Sequence, residues 1–350
     1  NDIKILENFV SLIDKDQAPT KGDFSKDYNS FCEGNGIIRC PYITSYLVDG
    51  DNNKEGIRIA NGIIDLPSWR AFLLALVTVG SKIFEVQIHS CSLSPAHLQD
   101  LGKALSKHGL AKSLKIQYSE LFQSSDDPAT VVSSIKSIFS EATNLEYISL
   151  KNNQLTDDII KGFAPALTEN YRLTTVNLSQ NNLSDDAATA VLQAVKFNPN
   201  YRIIILSDNA ISGSGVFNAV LTQYIGALNT PNEDAAIKAN TKSLNDRNKA
   251  VKDLNKKRKK ANLAEFNEFP AFPEFTKAYE GKTQYFANRM LEYLDLTGNP
   301  LEAAELVNLS NGVSNLPANT LPDVKIKVLL NPIDADEASV DKIRSFTEFL

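Results

Sequence analysis

The chain has 350 residues, 43% of them hydrophobic and 22% charged, with a formal net charge of −6. This is the composition of a folded protein, and its acidic balance argues against a general nucleic-acid binder, which carries a basic surface. The longest apolar run, Ala71–Val79 between Arg70 and Lys82, is too short to span a bilayer and reads as a buried helix.

Residues 1–53 fit no repeat. Ile3, Leu6, Phe9, Val10 and Ile13 recur at helical spacing and predict one amphipathic helix. Gly36–Val48 reads as short strands and turns. Together these make an N-terminal cap, the device that covers the open end of a repeat array. No secretory leader is visible at Asn1. The three cysteines, Cys32, Cys40 and Cys91, are an odd count that points to a reducing compartment rather than a disulfide framework; a Cys32–Cys40 pair is the lesser alternative. His89, His97 and His108 show no ligand spacing with them, so no metal or other cofactor is expected.

Residues 54–227 carry a periodic template, apolar-x-x-apolar-x-apolar-x-x-Asn-x-apolar, clearest in copies starting at Leu145, Leu173 and Tyr201, each 28 residues after the last. Across the chain the Asn position is filled by Gly62, Cys91, Ser119, Asn153, Asn181, Asn209, Asn299 and Asn331. The apolar pairs five and three residues earlier hold throughout, from Ile57/Ile59 to Ile326/Val328. An apolar-x-apolar pair is a short strand with its inward side chains in a core, and the Asn side chain can satisfy backbone groups in the turn that follows. Gly62, Cys91 and Ser119 predict a less regular ladder at that end. Helix caps are expected three residues on, at Asp65, Ser94, Thr156, Ser184, Ser212 and Asp334. Apolar sets such as Ile160, Phe163, Ala164 and Leu167 then predict one helix per repeat. The 34-residue spacing from Ser119 to Asn153 places a loop at Leu121–Asp127, with Asp127-Pro128 capping a delayed helix.

Between Asn209 and Asn299 the template is interrupted, and 228–290 reads as an insertion before repeats resume over 291–350. Its first part, Asn232–Leu263, is helical in pattern and ends in the basic run Lys256–Lys260. Its second part spaces Phe266, Phe269, Phe272 and Phe275 by three, with Pro270 and Pro273 between, which predicts an extended ribbon with its rings along one edge.

None of the common nucleotide-binding, zinc-protease or serine-hydrolase motifs occurs. Register instead defines an outward face. Arg58, Glu85, His89, Lys115, Tyr147, Lys151, Tyr293 and Asp295 lie on it, a mixture suited to a protein partner. Ile203 and Ile205 are apolar where solvent is expected, and the ribbon, led by Phe269 and Phe272, is expected either to cover them or to leave them as a partner site. For Lys256–Lys260 a solvated helix end, an acidic protein or anionic membrane surface, and nuclear localisation are the three readings.

Residues 145–225 resemble the ribonuclease-inhibitor-like class of leucine-rich repeats in period, Asn ladder and full helix per unit, and the resemblance extends over 54–227 and 291–350. It implies an α/β solenoid, a horseshoe of about eight 28–29-residue strand–helix repeats with a parallel concave sheet. The class includes inhibitors, innate sensors, actin regulators, a Ran GTPase-activating protein and effectors of intracellular bacteria. The lysine-rich insertion and the Asn- and Lys-rich composition look most like a bacterial effector acting in host cytosol. The expectation is a non-enzymatic scaffold that binds a host or cellular protein. The alternative is a GTPase activator resembling the Ran activator, although this chain ends in Ser345–Leu350 without that relative's acidic tail. A ubiquitin-ligase effector would need a catalytic cysteine after residue 290, where this chain has none.

Overall fold

The structure, a computed structural model, describes residues 23–50, 54–78, 83–108, 111–141, 144–196, 198, 200–225, 231–260, 265, 267–269, 271, 276–279, 282–285, 291–315 and 326–350. The chain forms two compact units, 1–153 with 251–267, and 154–250 with 268–350.

In the first unit the elements are α1 (Phe24–Asn35), β1 (Ile43–Leu47), β2 (Glu55–Ile63), α2 (Leu66–Thr78), β3 (Ile83–Ser92), α3 (Pro95–His108), β4 (Ser113–Gln117), α4 (Pro128–Glu141) and β5 (Tyr147–Ser149). The strands lie in chain order, with β1 antiparallel to β2 and β2 through β5 parallel. The end strand therefore lies outside the repeat template. The helix expected at Ile3–Ile13 lies outside the described residues. The described α-helix of residues 23–50 is α1, which the periodicity did not single out. Asp23 starts it by accepting from the Lys26 amide at 2.8 Å, and Gly36 ends it at φ 66°. Phe24 and Tyr28, one turn apart, stack with each other, and Phe24 meets the Phe72 ring of α2 at 5.7 Å.

The second unit contains α5 (Asp157–Phe163), α6 (Pro165–Glu169), β6 (Thr175–Asn177), α7 (Asp185–Val195), β7 (Ile203–Ile205), α8 (Val216–Ala219), α9 (Pro231–Lys260), β8 (Thr276–Tyr279), β9 (Lys282–Tyr285), β10 (Tyr293–Asp295), α10 (Ala303–Ser314), β11 (Lys327–Leu330), α11 (Glu337–Ile343) and β12 (Thr347–Phe349). Residues 251–260 of α9 group with the first unit. The parallel strands of the second unit run β6-β7-β10-β11-β12. The repeat register is resumed across the insertion, since Tyr293 pairs with Ile203 and Asp295 with Ile205. Between β7 and β10 lie α9, where a helix was expected, and an antiparallel hairpin of β8 and β9 that the ribbon reading did not foresee.

All eight predicted apolar pairs are core, with exposures from 0 to 3%. One helix and three caps need correction. Ile160, Phe163, Ala164 and Leu167 are all buried, but their helix is broken: Pro165 starts α6 as a separate turn because its ring has no N–H for the preceding ladder. Among the caps, Asp65, Thr156, Ser184 and Asp127 accept first-turn amides as expected. Asp334 does not cap α11; Asp336, two residues on, accepts from Ser339 at 2.8 Å. At Ser94 the His97 ring does the accepting, its Nδ1 taking the Ser94 amide at 3.1 Å. Ser212 precedes a glycine turn, and α8 starts after Gly215 at φ 86°.

Candidate functional site

The turn after each strand is built from two positions. One is the ladder. In the first unit Asn153 Oδ1 accepts from the Ser119 amide (2.9 Å) while its Nδ2 donates to Ile116 (2.7 Å). In the second, Asn209 Oδ1 accepts from Asn181 and Leu183, and Asn299 Oδ1 from Asn209 and Ile211, at 2.9 to 3.1 Å. Each side chain thus ties its own turn to the preceding repeat. Ser119 keeps part of this role, its hydroxyl accepting from the Cys91 amide at 3.2 Å. Cys91 keeps another part, its thiol donating to Ile59 O of the preceding repeat at 3.7 Å, whereas Gly62 has no side chain to do so, and there β3 and β2 run straight through the turn position, pairing as far as Ile63 with Ser92. This is the irregularity expected of the first repeats. Cys91 is a buried thiol, and burial pushes its ionisation above the ordinary range, as suits a structural residue.

The second position lies one residue before the ladder. Asn61, Ser90, Tyr118, Asn152, Gln180, Asp208 and Gly298 all have φ between 52° and 72°. Left-handed backbone favours glycine, asparagine and aspartate and penalises a bulky side chain. Gly298 has a further reason: a Cβ there would strike the Asp208 carboxylate. Tyr118 alone in this set is aromatic, and it is 43% exposed. Sequence reasoning missed it, because it scored strand-face positions and not the residue before the ladder.

Around Tyr118 the first unit gathers several of the predicted residues. The His89 ring lies 5.0 Å from the Tyr118 ring, and the Lys151 ammonium lies 5.7 Å from its centre. The Tyr118 amide donates to Lys151 O at 3.0 Å, so the sheet holds this arrangement. Lys115 sits 5.8 Å from the Tyr147 ring, and Gln117 donates to Ser149 at 2.8 Å. Tyr118 also lines an open trough of about 670 Å³, together with Tyr42, Ile63, Ser90, Ser92 and Glu120 among others. Ile63 is 83% exposed there. Gly62 is required beside it, since a Cβ would come within 2.7 Å of the Tyr42 ring.

Glu85 is not the exposed carboxylate that register implied. It is buried and accepts from Tyr46 (2.6 Å), Ser113 (2.7 Å), Gln87 (2.6 Å) and the Lys115 ammonium (2.7 Å). Burial opposes its ionisation, but these four donors prevail and hold its carboxyl below the ordinary value. Its role is to fix Tyr46 and Lys115. Arg58 is exposed on β2.

In the second unit Tyr293 is 41% exposed on β10. Asp295 is half-buried and accepts from the Thr297 amide and hydroxyl, which makes it a turn former. Ile203 and Ile205 are half-buried. Phe272, with Phe266 and Phe275, lies outside the described residues. Phe269 is buried rather than presented to a partner. It packs against Tyr171 and beneath the Arg172 guanidinium at 4.4 Å, ahead of β6. Asn248 of α9 clasps its backbone from both sides, at 2.7 and 2.9 Å. Arg247 stacks on Tyr171 at 4.9 Å. A buried asparagine near each of two helix-to-strand turns, Asn170 before β6 and Asn198 before β7, also escaped notice; Asn198 Nδ2 reaches Asn170 O at 2.8 Å. Their 28-residue spacing was the available signal.

Family models described as leucine-rich repeat match residues 144–165, 172–192 and 287–304. The repeats are leucine-rich repeats. With parallel strands alternating with helices in each unit, the fold class is the α/β leucine-rich-repeat type, a scaffold that generally mediates protein–protein interaction. Among solved structures, an internalin (inlF) from Listeria monocytogenes is similar over 84% of this chain and 86% of its own, at 12% identity and a TM-score of 0.33. Among curated proteins, none matches the sequence. Among the described residues, no helix is long and apolar enough to cross a membrane.

Proposed function

We propose that this leucine-rich-repeat protein is a binding scaffold, not an enzyme, and that its partner is a protein seated on the face around Tyr118. The supporting observation is a large ring kept in a backbone conformation that penalises it, while left accessible to solvent. An exposed ring flanked by His89 and Lys151, beside the bare Ile63, offers the aromatic and apolar anchors that dominate protein interfaces. Tyr147, Lys115 and Arg58 extend that face along the strands; Tyr293 is a separate candidate in the second unit.

The reading extends to a bacterial effector working in host cytosol, supported by the Asn- and Lys-rich composition and the large insertion within the repeats. The test is affinity capture from host-cell lysate with the intact chain, Tyr118→Asn and Tyr293→Ala. A host protein retained by Tyr293→Ala and lost with Tyr118→Asn is the expected result. Capture indifferent to Tyr118 would refute the assignment of the site.

A further inference from the structure

Helix α9 has one further surface that the face around Tyr118 does not use. Lys238, Lys242, Lys249, Lys252, Lys256 and Lys260 fall within a sector about 80° wide at 100° per residue, and the sector runs about 33 Å along the helix. All six are exposed. The opposite side holds the helix in place: Leu244 is buried, Asn248 is hydrogen-bonded to Phe269, and Arg247 stacks on Tyr171. The lysines therefore face outward because the other side is packed. Asp253 stands at the margin of the stripe, paired with Lys256 at 2.9 Å.

We propose that this stripe binds a surface of anionic phospholipid headgroups. The chemistry of the stripe distinguishes this from other polyanions. It contains no arginine, so it lacks the bidentate forks that fix individual phosphates; Arg247 is turned to the packed side. No aromatic residue occurs anywhere in α9, which leaves nucleic-acid bases nothing to stack on. Long, exposed ammonium groups in a straight line suit mobile headgroups that can gather beneath them. The charge balance points the same way. Residues 229–290 hold 13 basic and 8 acidic residues, a net of +5, leaving −11 for the rest of the chain, so attraction to an anionic surface is concentrated in this segment. The contact extends through the whole helix and is not confined to the terminal run Lys256–Lys260.

The test is co-sedimentation of the full chain at low ionic strength with phosphatidylcholine vesicles, with and without phosphatidylserine. Binding should require phosphatidylserine and vanish at high salt. Replacing Lys242, Lys249 and Lys256 with Gln together should weaken it about a hundredfold, and Lys→Arg at the same positions should restore it. Replacing Lys26, Lys136 and Lys342 with Gln, which removes the same charge elsewhere, should leave it unchanged, and circular dichroism would verify that each variant is folded. Equal binding to pure phosphatidylcholine, no loss in the stripe variant, or equal loss in the control variant would overturn the proposal. So would tighter, stripe-dependent binding of duplex DNA or polyglutamate, which would assign the stripe to those polyanions.

Discussion

At Tyr118 the backbone calls for a small or amide side chain, as Ser90 and Asn152 show at the same point of neighbouring repeats, and the chain instead places a tyrosine. The ladder residues behave oppositely, since each one is what its position requires. Asn209→Ala would leave the Asn181 and Leu183 amides and the carbonyls facing its Nδ2 without partners, at a cost of about 2–4 kcal/mol. Urea unfolding would read this as a lower midpoint with unchanged slope. His97 gives a second residue-scale prediction. Burial lowers its ionisation below the ordinary imidazole value of 6.5, which hydrogen bonding to Ile64 O only partly offsets. A depressed folded value means that the stability is present above 6.5 and is lost as the pH falls through the folded value. Melting temperature should therefore decline below about pH 6.5, and His97→Gln should flatten that decline.

At the scale of elements, the insertion is held by a small set of contacts that can be tested. Phe269→Ala removes the ring from Tyr171 and Arg172, and should cost about 3–5 kcal/mol if α9 and the second unit unfold together. Proteolysis within α9 should accelerate in the same variant. The strands and most helices were legible because a fixed period turns weak local signals into a register: eight apolar pairs and five asparagines agree with one another. Elements fixed by tertiary contact alone were not legible. Helix α1 depends on Phe24, itself stacked on Tyr28, meeting Phe72 of α2, which no local periodicity connects to it. The cap of α11 moved to Asp336 because the chain delays its helix beyond Pro332, and Pro165 divided a helix whose apolar spacing looked continuous. Of the candidate site, only the placement on the sheet face was legible. Register put His89, Lys115, Tyr147 and Lys151 on the outward face, but placed Glu85 in solvent because it could not see four donors converging from β1, β3 and β4.

For the molecule as a whole, the positions that hold the repeats differ from those proposed for recognition. The core pairs, ladder asparagines and caps hold the repeats, whereas Tyr118, Ile63 and the lysine stripe of α9 lie where the repeats do not need them. Substitutions in the first group should lower stability, and those in the second should alter binding in a chain that melts normally. The most direct measurement is the free energy of unfolding of the intact chain compared with Tyr118→Asn. Asparagine restores the residue type that Asn152 shows to be compatible with this backbone, while giving up the exposed contacts with His89 and Lys151. The expected result is stability within about 0.5 kcal/mol of the parent chain, or above it. A loss of more than about 1.5 kcal/mol would show that the tyrosine is retained for packing and would contradict its role as a binding residue.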